Sequence, residues 1–318
     1  MSKQTFQTTL GSSVSLEGVG VHSGHPVRLT LHPAEADAGI SFLRIGSKND
    51  TETQIPAVYS HVSATALCTV IGADKETGVS TIEHVMAALR ALNIDNVIVE
   101  VDNFEVPIMD GSSAAFVDAI DQAGIVTLKT PRRFIKILKP VRITQGKGFA
   151  ELLPQNEGFS LDVDIDFDHP SIGRQRKIVQ LSADVFRTEI SRARTFGFMR
   201  DVEQLWKLGF AMGSSLENSV AIGDEGIINP EGLRFENEFV CHKMLDAIGD
   251  LALSGLPLIG AYRSYCGGHK MNFSILKELF ADPANYTITE NQAIRREATI
   301  MGEKANGMPI AVFAPEKR

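Results

Sequence analysis

Cysteine is scarce in this 318-residue chain, which carries only Cys68, Cys241 and Cys266, far apart and without a CxxC pair. Neither a disulfide framework nor a cysteine zinc cluster is indicated, and a reducing cytoplasm is the expected compartment. Long apolar runs are missing too. The apolar, uncharged stretch from Leu251 to Tyr262 is well short of the roughly 18 residues that suggest a membrane span. The Met-Ser-Lys-Gln-Thr start has no charged segment followed by an apolar one, so no export signal is expected. Basic residues are in deficit: the formal net charge is −8, which argues against a nucleic-acid partner held on a basic face. What is present is ordinary for a folded protein, with 43% hydrophobic and 22% charged residues. The length allows one large domain or two of average size.

Periodicity divides the chain in two. Val14 to Leu16 and Val27 to Leu31 alternate as antiparallel strands. Ser80-Thr-Ile-Glu83 fits a capping box, and the apolar spacing after it predicts a helix over about 81–92. The β-rich run from Asn96 to Val101 follows, then a turn over Pro107 to Gly111, then a helix from Ser113 to Gln122 closed by Gly124. The pattern restarts near residue 130. Strands are expected at Phe134–Leu138, Val141–Thr144, Ala150–Leu153 and Phe159–Phe167, and the half again ends in helix (Glu236–Leu253), strand (Leu258–Tyr265) and helix (Met271–Phe280). Glu83-His84-Val85-Met86 is echoed by Cys241-His242-Lys243-Met244, 158 residues on. A diverged duplication is the expected origin. The fold class expected is α+β: two similar layered domains, 1–130 and 131–318, each with a mainly antiparallel sheet packed on helices that face each other across the active site.

Several residue groups can carry chemistry. His242 and Asp246 share one helix face at i, i+4, and Asp250 lies one turn further. With His84 they make three ligands, the number a catalytic zinc needs when a fourth position is left open. Glu83, beside His84, is placed as a general base, and equally as the structural cap of its helix. His84 alone also fits a core histidine, and the His242–Asp246 pair a local polar contact. Ser191-Arg-Ala-Arg-Thr-Phe-Gly-Phe198 combines two guanidinium groups, a hydroxyl and two rings, which suits a charged, ring-containing ligand or an edge strand with solvated arginines. His269 follows a Gly pair at a helix start, where the dipole is expected to lower its pKa.

Five segments, Gly18-Val-Gly-Val-His22-Ser-Gly24, Ser80 to His84, Pro107 to Gly111, Ser191 to Asp201 and His242 to Asp250, closely resemble the UDP-3-O-acyl-N-acetylglucosamine deacetylases, in order and at close to their spacing. The likeness runs from about Gln4 to the final helix. It implies a zinc (Zn2+) metalloamidase that removes the 2-N-acetyl group from an acylated UDP-sugar, the committed step of lipid A biosynthesis. It implies His84, His242 and Asp246 as the metal ligands, Glu83 as general base, Thr195 at the oxyanion, Lys243 as a nearby positive charge, and His269, held by Asp250, as the acid that protonates the leaving amine. For the substrate it implies Phe196 and Phe198 near the sugar and acyl entry, His22 as a further substrate contact, Phe167 against the uracil, Lys147 toward the diphosphate, and an acyl passage in an insertion at about 199–230. Cys266 stands where the family often has a basic residue, and Lys147 is offset by about one position. The competing readings are another metal amidohydrolase, a binding protein without hydrolysis and a structural zinc. Glu83, Thr195 and His269 together weigh against simple binding, and no fourth protein ligand is evident for a structural site.

Overall fold

Alternating burial builds the first sheet, as in the strand Pro26–Pro33, where Val27, Leu29 and Leu31 point into the core and Arg28 between them points to solvent. The structure is a computed structural model and describes residues 5–46 and 52–290. The first half runs β1 (Phe6–Leu10), β2 (Val14–Val19), β3 (Pro26–Pro33), β4 (Ile40–Arg44) and β5 (Thr53–Pro56). A small sheet of β6 (Val62–Ala64), β7 (Val70–Ile71) and β8 (Val79–Ser80) follows, then α1 (Glu83–Ala91), β9 (Val97–Val101), α2 (Ala114–Ala123) and β10 (Ile125–Pro131). The main sheet has the order β2-β3-β9-β4-β5, with β9 antiparallel to β3 and parallel to β4.

The second half runs β11 (Arg133–Ile137), β12 (Val141–Gln145), β13 (Gly148–Leu153), β14 (Phe159–Asp166), β15 (Arg174–Gln180), the single turn α3 (Ala183–Val185) and β16 (Phe196–Phe198). Then come α4 (Met199–Lys207), β17 (Val220–Gly223), β18 (Gly226–Ile227), α5 (Glu238–Leu251), β19 (Leu258–Tyr265), α6 (His269–Ala281) and β20 (Tyr286–Glu290). Its sheet repeats the first. β19, the strand after α5, is antiparallel to β13 and parallel to β14, with β12 and β15 outside them. The additions are β11, parallel to the start of β19, and β20, antiparallel to β11. The strand following α1 in the first half and α5 in the second is therefore the central strand of its sheet, as a duplicated unit predicts.

Both central helices are buried nearly all round, because each packs on its own sheet and on the other helix. All of α1 except Arg90 and all of α5 except Lys243 are buried. Their close approach depends on one residue. A Cβ at Gly249 would lie 2.0 Å from the Glu83 carbonyl oxygen, so only glycine admits the first turn of α1 against α5. The helix layers thus face each other as expected.

The capping box at Ser80 is not formed. Thr81 adopts φ 58°, in the left-handed region, and its hydroxyl donates to Glu105. Ser80 instead pairs with Val70 in β7–β8, and its hydroxyl donates to the Phe104 carbonyl. The helix begins at Glu83, whose carboxylate is consequently free of a capping role. Elsewhere the expected elements differ at their ends by a few residues. α6 starts at His269, two residues before the predicted Met271, with Gly268 before it. Gly124, at φ 72°, closes α2 as predicted.

Candidate metal centre

The first turn of α1 and the middle of α5 meet at three buried side chains. His84, His242 and Asp246 are 4%, 2% and 2% exposed. Their nearest ligand atoms all lie within 4.8 Å of one another. Asp246 Oδ1 is 3.6 Å from His84 Nε2 and 3.4 Å from His242 Nε2. The two imidazoles meet edge to face, centroids 5.1 Å apart. The i, i+4 spacing brings His242 and Asp246 together as the sequence implied, and tertiary packing adds His84.

Three features fit this cluster to a cation. Asp246 Oδ1 is a buried oxygen with no hydrogen-bond partner among the described residues, a costly state that a metal relieves. Its other oxygen accepts from Lys243 Nζ at 2.8 Å. His242 Nδ1–H donates to the Ala193 carbonyl at 3.0 Å, which leaves Nε2 with a lone pair facing Asp246. Burial pushes His242 down to about 3, so the ring is neutral, as a ligand must be. Burial also opposes the charge on Asp246, but His242 at low pH and Lys243 throughout outweigh it and hold the carboxyl well below its usual range. Two imidazole nitrogens and a carboxylate oxygen form a donor set that suits zinc.

Beside this cluster stand an acid and a base. Glu83 is 3% exposed, and its Oε2 accepts from the Thr69 backbone N–H at 3.1 Å. Burial raises its pKa, against the pull of His269 and His84. His269 Nε2 lies 3.8 Å from Glu83 Oε1, while Nδ1 is bonded to Asp250 at 2.9 Å. Burial disfavours the His269 charge, but Asp250 and Glu83 outweigh it and push the imidazole up to about 10. The expected lowering by the helix dipole is therefore overturned: two carboxylates close by exceed the half-charge of a helix end. Asp250 is itself held by Thr69 Oγ1 at 2.6 Å and by Asn272 Nδ2 at 2.8 Å, and Asn272 accepts from Tyr262 at 2.5 Å. Thr69 and Asn272 were not singled out in the sequence. Thr69 is 181 residues from Asp250, and no local spacing announces such a contact.

The segment after Ala193 forms one wall. Thr195 N–H donates to Gly111 and its carbonyl accepts from Val220, which fixes this residue between the Ala193 carbonyl and the Phe196 ring. Phe196 lies 6.1 Å from the His242 ring and 5.6 Å from Phe167, and Phe167 lies 6.2 Å from Phe198. Lys243 Nζ sits over Phe196 at 5.6 Å. His22 is joined to the insertion, edge to face with Phe210 at 5.3 Å, and burial first and the His269 charge after it lower its pKa against the opposing pull of Glu105. One residue behaves differently from expectation. Arg194 is neither solvated nor turned to a ligand, being 2% exposed and paired with Glu238 and Glu231. Lys147 lies in the turn between β12 and β13, where its Nζ is 3.7 Å from Asp166. The three cysteines are free, with Cys68 and Cys241 buried. No helix among the described residues is long and apolar enough to cross a membrane.

Comparison with known proteins agrees with this geometry. A family model described as UDP-3-O-acyl N-acetylglycosamine deacetylase matches residues 7–281. Curated proteins from Brucella ovis and Brucella canis, each named UDP-3-O-acyl-N-acetylglucosamine deacetylase, are 50% identical over 286 residues, covering 90% of this chain and 99% of theirs. A Brucella melitensis protein of the same name is 49% identical over the same share. With its paired sheets, its facing helices and its buried His, His, Asp cluster beside Glu83, this chain belongs to the UDP-3-O-acyl N-acetylglycosamine deacetylase family.

Proposed function

We propose that this protein hydrolyses the 2-N-acetyl amide of UDP-3-O-acyl-N-acetylglucosamine, releasing acetate and the free amine, with zinc held by His84, His242 and Asp246. The observation that carries the reading is the unpartnered Asp246 oxygen between two histidine nitrogens, with a buried Glu and a His–Asp pair alongside. Zinc in that position supplies the Lewis acidity that an amide hydrolysis needs. Glu83 takes the proton of the attacking water, a task suited to a carboxylate whose basicity burial has raised. His269, kept protonated by Asp250 and Glu83, gives a proton to the departing nitrogen as the C–N bond breaks. Thr195 hydrogen-bonds the developing oxyanion, and Lys243 anchors Asp246 while adding positive charge.

Phe196, Phe198 and His22 line the sugar and acyl entry in this reading, Phe167 stacks on the uracil, and Lys147 serves the diphosphate. The residues 199–230 form the acyl passage. That role is supported by an α4 without a single buried residue and by Trp206, Leu208 and Met212 at 53%, 64% and 58% exposed, apolar surface left for a chain to cover. The two sheets support domains 1–130 and 131–318, whose ends at 1–4 and 291–318 lie outside the described residues. Three free thiols support a cytoplasmic location. The test is acetate release from UDP-3-O-acyl-N-acetylglucosamine by metal-stripped protein, before and after one equivalent of zinc. Release only after zinc is the expected result, and no release from folded, zinc-loaded protein removes the substrate assignment.

A further inference from the structure

A single peptide unit, the one joining Ala193 to Arg194, is gripped from both sides by one helix. Its carbonyl accepts from His242 Nδ1 at 3.0 Å, and its N–H donates to Glu238 Oε1 at 3.0 Å. Glu238 and His242 stand one turn apart on α5, so the helix presents a carboxylate and an imidazole at the spacing of one trans peptide. Glu238 has no solvent exposure, and its two oxygens collect four donors. Besides the Arg194 amide these are Arg194 Nε at 2.8 Å, Arg194 Nη2 at 3.2 Å and the Arg234 amide at 2.7 Å. Arg194 closes the ring by bonding Glu231 through Nη1 and the Gly232 carbonyl through Nη2. Rotation of the 193–194 peptide would leave a buried amide, a carbonyl and an imidazole N–H unpaired together.

We infer that Glu238 is a positioning residue for the metal centre: through the Ala193–Arg194 peptide it holds the carbonyl that keeps His242 in its Nδ1–H tautomer with Nε2 turned to the metal. The inference rests on the reading of His242 as a ligand. It gives Arg194 and Glu238 a purpose that neither substrate contact nor surface charge explains. It also accounts for the placement of Thr195, the next residue in the chain, whose amide and carbonyl are bound on either side. Partners that orient ligating histidines typically matter by 10–100-fold in metal affinity or activity.

The test is zinc affinity, by chelator competition, together with 15N resonances of the imidazoles in metal-stripped protein, for wild type, Glu238→Gln, Glu238→Asp and His242→Ala. In Glu238→Gln an amide N–H₂ must face either the Arg194 or the Arg234 donors, and in Glu238→Asp the carboxylate withdraws by one methylene. Both are expected to weaken zinc by roughly 10–100-fold and to turn the single Nδ1–H tautomer of His242 into a mixture. Arg132→Lys, which disturbs the buried pair of Arg132 with Asp95, controls for general destabilisation and should leave zinc affinity unchanged. Folded Glu238 variants with zinc affinity within twofold of wild type and an unaltered tautomer overturn the inference. If neither variant folds, wild type alone decides: an Nε2–H tautomer of His242 in the metal-stripped protein refutes it, and an Nδ1–H tautomer with a slowly exchanging Arg194 amide upholds it. Zinc affinity unmoved by His242→Ala defeats the ligand assignment instead.

Discussion

The two halves carry the same five-strand order and the same buried helix, yet they contribute unequally to the centre. α1 offers Glu83 and His84 side by side in its first turn, where neighbouring residues diverge by about a quarter of the circumference. One therefore reaches the metal position and the other the space beside it. α5 offers His242, Asp246 and Asp250 in a row along one face, so a single helix supplies two of the proposed ligands and the carboxylate that holds His269. The repeated scaffold thus carries one helix that combines a proposed ligand with the proposed base, and one that assembles and braces. The two roles separate because adjacent residues and residues four apart point in different directions.

Glu83→Ala should break the α1 side of this comparison most completely, lowering turnover by about 10²–10⁴-fold while zinc stays bound, as steady-state rates and metal analysis will show. Near-normal turnover would remove Glu83 as the base. On the α5 side Asp246→Ala should act on the metal itself. Zinc content after dialysis against a weak chelator should fall well below that of wild type, and unchanged content excludes Asp246 as a ligand.

Gly249→Ala tests the contact between the halves. Its Cβ would meet the Glu83 carbonyl at 2.0 Å, so the helices must part, at a cost of about 1–3 kcal/mol in urea unfolding and with a loss of activity out of proportion to it. A variant as stable and active as wild type would show that the close approach is not required.

The His269–Asp250 pair predicts a smaller, pH-dependent effect. The His269 pKa rises from its ordinary 6.5 to about 10 in the folded chain, so its contribution to stability is fully present below pH 6.5 and is lost as pH rises through about 10. In metal-stripped protein the stability gap between wild type and His269→Gln should therefore shrink from pH 6 to pH 10, and a constant gap argues against a charged His269. Least of all should Trp206→Ala change stability, by no more than about 0.5 kcal/mol, because the side chain is 53% exposed. Its KM for long-acyl substrate should rise nonetheless. An unchanged KM would take this face of the insertion out of acyl recognition.

Much of this was legible before any coordinates. The i, i+4 pair His242 and Asp246 and the apolar periodicity of both central helices are local features, set by helical geometry alone. Strand β19 was expected at Leu258–Tyr265 and lies there. The capping box misled because Ser80-x-x-Glu83 matches a local rule, whereas a long-range bond from Thr81 to Glu105 places Thr81 in the left-handed region instead. Arg194 looked like a solvated or ligand-facing cation because its partner, Glu238, is 44 residues away.

By itself, the sequence determined the repeated pattern, the residue types of the proposed ligands, their spacing on α5 and the family likeness, since all of these depend on residue identity and helical or strand period. Tertiary structure alone decided that His84 joins His242 and Asp246, that Asp246 keeps an unpaired oxygen, that Thr69 and Asn272 brace Asp250, and that His269 is raised rather than lowered. The reason is physical: partners this distant in the chain meet only when the two sheets bring α1 against α5, and in that dry interior the nearest charges outweigh what any single helix end would dictate.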